Sequence, residues 1–465
     1  MHDFWFRRSA MRGLLGLAGG VLMVSLFACS DDGEGGGPKD AAADAPLADS
    51  AAPDAPADAG SPADALTDAL PTAPDSGPDL GAPPAPDAGG ADVLLSACTP
   101  GQPQTLGVGA SVAPALLWGD NRFTVLWGDA REDAPGIYLR RLSAEGLPEG
   151  IADVQVGAGT IRAKNPEIAP HAGGYLVTWE DCTQIVQGKD GPECASWLVN
   201  ARLLDATFAP TGTVKLMAET RPIERRPYVL SALGKTFVTF RDSDPNDATK
   251  REWIKVFAVD AAADALATPP PKLFDVAGLS TRFPFLSTNG THLAVAYVTG
   301  EGPSELSLAL LDGNLSLVQE AKLRTGIPGP ATNPQAAWLG SEWLVTWEDS
   351  RGGQERIWAA FVAGNATSVR TAFSVFDSVG LSSWPTLGFD GTNALVAFHA
   401  FPDGAQVIGQ QYTPAGVALR GPIGISPLRV QNGRFPVVVH TGTEYAVAYV
   451  DRKSSRIGFL RMPCP

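Results

Sequence analysis

A chain of 465 residues with 51 Gly, 39 Pro and five Cys carries a formal charge of −15 at pH 7. The charge is unevenly placed: residues 30–97 hold thirteen Asp, one Glu and one Lys, a balance of −13, while residues 98–465 stand at −4. An acidic segment joined to a near-neutral body excludes nucleic-acid binding through phosphate neutralisation, which needs clustered Lys and Arg.

In chain order, Arg7, Arg8 and Arg12 precede a 16-residue apolar run, GLLGLAGGVLMVSLFA (13–28). The run is short for a spanning helix, so residues 1–28 are read as a signal peptide rather than an uncleaved anchor. Adjacent Arg7 and Arg8 are ordinary basic charge at such a start, although RRSAM (7–11) weakly resembles a twin-arginine motif. The run ends LFAC (26–29), which resembles the bacterial lipobox, a small residue before an invariant cysteine. That resemblance implies that Cys29 is lipidated and ties the mature protein to a membrane. Ser30 behind it suggests the outer membrane, on either the periplasmic or the cell-surface side.

Residues 30–97 contain no aromatic residue and are mostly Ala, Asp, Pro and Gly. Such a composition cannot bury enough apolar surface to fold, so 29–97 is expected to be a disordered tether. Its reach is roughly 45 Å as a flexible coil and about 200 Å as polyproline II.

From Cys98 onward the sequence repeats. LVTWED occurs at 176–181 and again at 344–349, and its aromatic has seven equivalents: Trp127, Trp179, Phe240, Tyr297, Trp347, Phe398 and Tyr449. Thirteen residues before each stands a proline: Pro114, Pro166, Pro227, Pro284, Pro334, Pro385 and Pro436. Two residues before each aromatic stands a valine, and a glycine falls five to seven residues after each proline. Successive prolines are 52, 61, 57, 50, 51 and 51 residues apart, which suits one four-stranded propeller blade per unit. Valine and the aromatic share one face of a strand, because side chains alternate with period 2. First strands such as PTLGF (385–389) are expected to open at the proline and turn at the glycine into second strands such as NALVAF (393–398). GIYLRRL (136–142), RIWAAFV (356–362) and RIGFLRM (456–462) predict third strands; IADVQVG (151–157) and TAFSVFD (371–377) predict weaker fourth ones. The fold class is therefore all-β, a seven-bladed β-propeller over 98–465.

The seventh unit lacks a fourth strand, and an orphan strand, PQTLGVG (103–109), precedes the first unit. Residues 103–109 are expected to supply the outer strand of the last blade and close the ring, leaving no long unpaired edge. A monomer follows. Cys98 and Cys464 flank those two strands, and Cys182 and Cys194 flank one loop, so the pairs Cys98–Cys464 and Cys182–Cys194 are predicted. Four free thiols are the alternative, which export to an oxidising compartment disfavours.

Residues 98–465 resemble bacterial lipid-anchored seven-bladed propeller repeats of the form Pro-x-Val-Ala…Gly…Leu-Val-x-Trp-x-Asp-x-Arg. The matches are PEIAPHAGGYLVTWEDC, PQAAWLGSEWLVTWEDSR and PVVVHTGTEYAVAYVDR. The resemblance carries no catalytic assignment. Asp129, Asp181, Asp242, Asp349 and Asp451 follow the marker aromatic by two, and an acid repeated in five blades is read as a turn residue bonding its own backbone. His171, His292, His399 and His440 break the repeat, but no pair has metal-ligand spacing. DSDPND (242–247) starts like a calcium loop, yet Asp247 stands where Gly and Trp253 where Glu is needed, so it is read as a solvated acidic loop. No metal, cofactor or catalytic residue is expected. The expected function is a non-catalytic binding or scaffold module for a protein or glycan; a propeller hydrolase or lyase acting on polysaccharide is the alternative. Loops from second to third and fourth to first strands should share one face, carrying Asp129, Arg131, Glu180, Arg225, Arg226, Arg241, Arg282, Glu348, Arg351, Trp384, His399, Phe401, Arg434 and Arg452. The loops 180–196 and 241–252 are the longest there. Replacing Arg225, Arg226 and Arg241 by Ala is expected to leave the fold intact if they are exposed, at about 0.5 kcal/mol each. An ordinary charged rim would look the same in sequence.

Overall fold

The structure is a computed structural model; it describes residues 98–464 except 108–112, 130, 132–134, 189–190, 244–250, 263–271, 277, 377–380, 402–405, 420–421 and 427–432. The signal peptide, Cys29 and the acidic segment lie outside the described residues, as does most of DSDPND.

Seven four-stranded antiparallel sheets follow one another, each with its strands in sequence order except the last. Blade 1 is Ala115–Gly119, Arg122–Asp129, Gly136–Leu142 and Val154–Ala158; blade 5 is Ala331–Trp338, Glu342–Asp349, Arg356–Ala363 and Phe373–Ser374. The last sheet combines Gly433–His440, Glu444–Asp451 and Arg456–Pro463 with Gln104–Leu106. The closing strand is shorter than its sequence suggested, pairing Gln104 with Phe459 and Leu106 with Ile457. Two bonds before the ladder extend the contact: Gly101 N to Arg461 O at 2.8 Å and Thr99 N to Pro463 O at 3.1 Å. Both predicted disulfides are present, Cys98–Cys464 and Cys182–Cys194.

The repeated valine and aromatic form the core. All seven valines are 0% exposed and the seven aromatics at most 3%. They pack between blades rather than within one. Phe123 and Trp127 of blade 1 cluster with Phe435, Ala448 and Phe459 of blade 7, and Trp343 and Trp347 of blade 5 with Ala294, Leu308 and Leu310 of blade 4. Each neighbouring pair of blades has such a cluster, so no blade can bury its faces alone. At Gly107, which leaves the closing strand at φ +61°, a Cβ would stand 2.7 Å from the Trp127 indole, so only glycine lets the chain pass there.

Three local expectations are corrected. Proline opens the strand only in blades 1 and 3, where Ala115–Gly119 and Tyr228–Ala232 begin just after it. In the five other blades it lies inside the strand, at a bulge such as the shift between Lys164 and Glu167 or between Arg434 and Val437. A proline cannot donate to the ladder, and the bulge releases it from that duty. The first turn of blade 1 is made by Asp120 and Asn121, both at positive φ, rather than by Gly119. Residues 180–188 and 191–196 are not loop but the continuation of strands Gly174–Gly188 and Gly191–Leu204, with Cys182–Cys194 bridging them at a register shift.

Candidate functional site

The bulges set up the site. In six blades the residue before the proline has positive φ: Asn165, Arg226, Phe283, Asn333, Trp384 and Phe435. A residue before proline prefers extended backbone, and a left-handed non-glycine residue costs on the order of 1–3 kcal/mol, so the surroundings must hold it. These side chains converge at the ring's axis on the face where first strands begin and second strands end. Arg226 of blade 3 donates to the Asn333 side chain of blade 5 at 2.5 Å and lies over Phe283 of blade 4 and Trp384 of blade 6. One guanidinium thus reaches across the axis.

In blades 2, 5 and 6 the residue after the marker aromatic accepts from the backbone just before the next blade's proline. Glu180 accepts from the Arg225 amide at 2.8 Å and the Arg226 amide at 3.4 Å, and from Asn165 of its own blade. Glu348 repeats this with the Trp384 amide at 2.5 Å and Asn333 at 2.8 Å. This pairing of Asn before Pro with Glu after Trp gives the second LVTWED copy the same work as the first. In blade 6 His399 takes the role, Nδ1 accepting from the Phe435 amide at 3.4 Å. In blade 1 the position is Gly128, where a Cβ would meet the Ala163 carbonyl oxygen at 2.3 Å.

Asp129, Asp349 and Asp451 bond the amide two residues on, as expected of turn residues, whereas Asp181 and Asp242 depart from that expectation and bond other segments. Asp129 accepts from the Arg131 amide at 2.9 Å and from Trp127 Nε1 at 3.2 Å; Asp349 does the same with Arg351 and Trp347, each at 2.9 Å. Burial pushes Asp349 up, but its bonds from Arg351, Arg324 and Trp347 win and hold it below the usual carboxylate range. Asp451 accepts from the Lys453 amide at 3.0 Å, and Asp181 from the Thr160 amide at 2.9 Å. Asp242 lies 3.1 Å from Arg225 and also holds Lys255.

The face is not the exposed rim expected of it. Asp129, Glu180, Arg225, Arg241, Glu348 and His399 are buried. Arg241 pairs with Glu252 at 3.2 Å, Arg282 with Glu301 at 2.5 Å, and Arg131 and Arg351 with the aspartates two residues before them, at 2.5 Å each. Arg131 and Arg351 also stack on Tyr138 and Trp358. Burial pulls the Arg225 guanidinium down to about 10 against Asp242. An Arg225, Arg226 and Arg241 triple alanine therefore strips buried charge pairs, and the expectation of a neutral change is overturned. Trp384, Phe401, Arg434 and Arg452 remain half-buried at the mouth.

Sequence reading missed the partners. Lys164 pairs with Glu224, whose carboxyl is raised by burial but held well down by Lys164 and Arg226. One step past the prolines, Glu167, Tyr228, Phe285 and Gln335 occupy equivalent positions. Tyr228 packs edge-on to Phe285 with centroids 5.1 Å apart, and its phenol is raised by burial and by Glu167 while bonded to Gln335. The Glu167 carboxyl makes no hydrogen bond or ion pair among the described residues, and desolvation pushes it up to about 8. The signal was available in the repeat, as variation at the residues flanking an invariant proline. His171 contacts Thr236 at 2.9 Å, and His440 accepts from the Gly442 turn at 3.2 Å; His292 sits in a turn. Among the described residues no cluster of three or more His, Cys, Asp or Glu could hold a metal, and no helix is long and apolar enough to cross a membrane.

No protein-family model matches the chain, and no curated protein matches it. Several solved structures are similar to this chain. The β-propeller domain of Cps50 (Swd1) from Myceliophteria thermophila is 12% identical with a TM-score of 0.45, over 77% of this chain and 99% of that one. The polysaccharide lyase Uly1 is 10% identical with a TM-score of 0.47, over 75% and 89%. Trypanosoma rangeli sialidase is 8% identical with a TM-score of 0.44, over 76% and 55%.

Proposed function

We propose that the protein is a binding module of the bacterial envelope, tied to the outer membrane through a lipidated Cys29 and spaced from it by residues 30–97. In this reading the propeller presents its bulge-lined face to a protein or glycan. The observation that carries it is the commitment of that face's carboxylates: Glu180, Glu224, Asp242, Glu348 and Asp349 all join strands or blades. Two disulfides support an oxidising compartment.

A second reading, a hydrolase or lyase acting on polysaccharide, has one observation in its favour. Desolvation raises the Glu167 carboxyl to about 8 near the Tyr228 phenol, a direction that suits a general acid. Incubating the full chain with acidic and neutral polysaccharides separates the two. Binding with chain length unchanged supports the module, whereas chain shortening abolished by Glu167→Gln supports the enzyme. Labelling cells with a palmitate analogue tests the anchor, with label expected on the parent and none on Cys29→Ser. Protease shaving of intact cells then assigns the side of the membrane.

A further inference from the structure

The inner strands of the seven blades touch their neighbours in a closed ring. In blades 2 to 5 the residue one step past the proline is long: Glu167, Tyr228, Phe285 and Gln335. In blades 6, 7 and 1 it is Thr386, Val437 and Ala115, which reach less far toward the axis. The Tyr228 phenol of blade 3 bonds to Gln335 of blade 5, and Tyr228 packs edge-on to Phe285 of blade 4 between them. Side chains of blades 3 and 5 can touch only on the axis side of blade 4, so this layer lines the interior of the ring.

Glu167 is the acid of that layer, and it is left without a counter-charge. Its carboxyl has no hydrogen-bond or ion-pair partner among the described residues. Thr178, opposite it in the antiparallel ladder, is 0% exposed, and its hydroxyl has no partner among them either. Two polar groups side by side thus lack partners. The cations nearby are committed elsewhere: Lys164 and Arg226 both pair with Glu224, and Arg226 also donates to Asn333. Glu167 is nonetheless partly accessible. Desolvation raises its pKa to about 8, so the accessible part does not face bulk water. A carboxyl that is both desolvated and reachable faces a space enclosed by the inner strands.

We propose that the space beside Glu167 binds a primary ammonium group, its charge on the Glu167 carboxylate and its alkyl stem against the rings of Tyr228 and Phe285. A desolvated carboxylate without a partner is costly, and an opposite charge brought by a ligand removes that cost. Ring faces attract a cation and shelter its stem. A metal ion needs several oxygen ligands, and among the described residues no cluster of acids supplies them. The site goes beyond the reading of the bulge-lined face: it lies past the prolines on the inner strands and needs none of that face's charges.

The test is a ligand-observed NMR titration of the full chain at about pH 9, where Glu167 is ionised and an alkylammonium keeps its charge. The probe n-butylammonium should bind with a Kd of about 10 mM or tighter, and n-butanol and butyrate at least about tenfold more weakly. Glu167→Gln keeps the shape of the side chain and should lose about tenfold in butylammonium affinity while melting at or above the parent's temperature. Tyr228→Leu is the second variant, with a loss of about threefold expected for a ring face. The tripeptide Gly-Lys-Gly with blocked ends separates two sources of the same group. Binding of both probes means that the site takes lysine side chains, binding of butylammonium without the peptide means free amines, and either upholds the site. Three results overturn it: no butylammonium binding up to about 100 mM, equal binding of butanol, or undiminished affinity in whichever of the two variants folds.

Discussion

Blade 2 and blade 7 solve the same problem with opposite resources. Blade 2 is one continuous stretch with strands of 10, 15, 14 and 12 residues, so its ladders alone secure it. Blade 7 joins the two ends of the ring, and its outer strand has three residues. Few backbone bonds hold that strand, and Cys98–Cys464, spanning 366 positions, makes up the deficit. Cys182–Cys194 spans 12 positions inside an existing hairpin. Loop-entropy reasoning assigns a large effect to a cross-link between distant residues and a small one to a cross-link that repeats what a hairpin already enforces.

The largest expected effect follows from that contrast. Replacing Cys98 and Cys464 together by Ser should lower unfolding stability by about 5 kcal/mol and expose the closing strand to protease before the rest of the chain. Denaturant unfolding with parallel proteolysis checks it, and equal stability of the variant would mean that the strand ladder alone closes the ring. Next in size, Arg225→Ala removes a buried guanidinium from the Arg241 carbonyl and from Asp242, which keeps Arg221 and Lys255, and should cost about 3 kcal/mol by the same measurement. Replacing Cys182 and Cys194 by Ser should cost at most about 3 kcal/mol, felt as faster hydrogen exchange in 183–194 with the other blades unchanged. If both disulfide variants lose the same stability, the contrast between the blades is wrong.

The smallest effect concerns pH, because Glu167 is only half-buried and water screens part of its shift. Glu167 has its folded pKa raised from 4.5 to about 8, so the folded state holds a proton that the unfolded chain releases. Stability should therefore be undiminished below about pH 4.5 and fall as pH rises through the window up to about 8. Glu167→Gln should remove that fall, raising the thermal midpoint at pH 8 by about 3 °C while leaving it unchanged at pH 4. Parallel melts at the two values test it; a variant equally shifted at both would place the effect outside titration.

Sequence alone determined the blade count, the strand order, the ring closure and both disulfide pairs. The physical reason is repetition: a Val and an aromatic two residues apart can be buried only on one strand face, and seven copies at blade spacing admit one architecture. The turn role of Asp129 and Asp349 was equally legible, because those bonds are local, to an amide two residues on. What the tertiary structure decided lies between blades. No spacing could show that Glu180 and Glu348 hold the next blade's bulge, that Arg226 crosses the axis to Asn333, or that Arg225 and Arg241 are buried. A charged residue at the end of a strand has the same sequence signature whether it faces water or a partner carboxylate. Its burial depends on how seven blades pack together, and bonds between blades, such as those from the Trp384 and Arg226 amides, help hold the positive φ before the prolines.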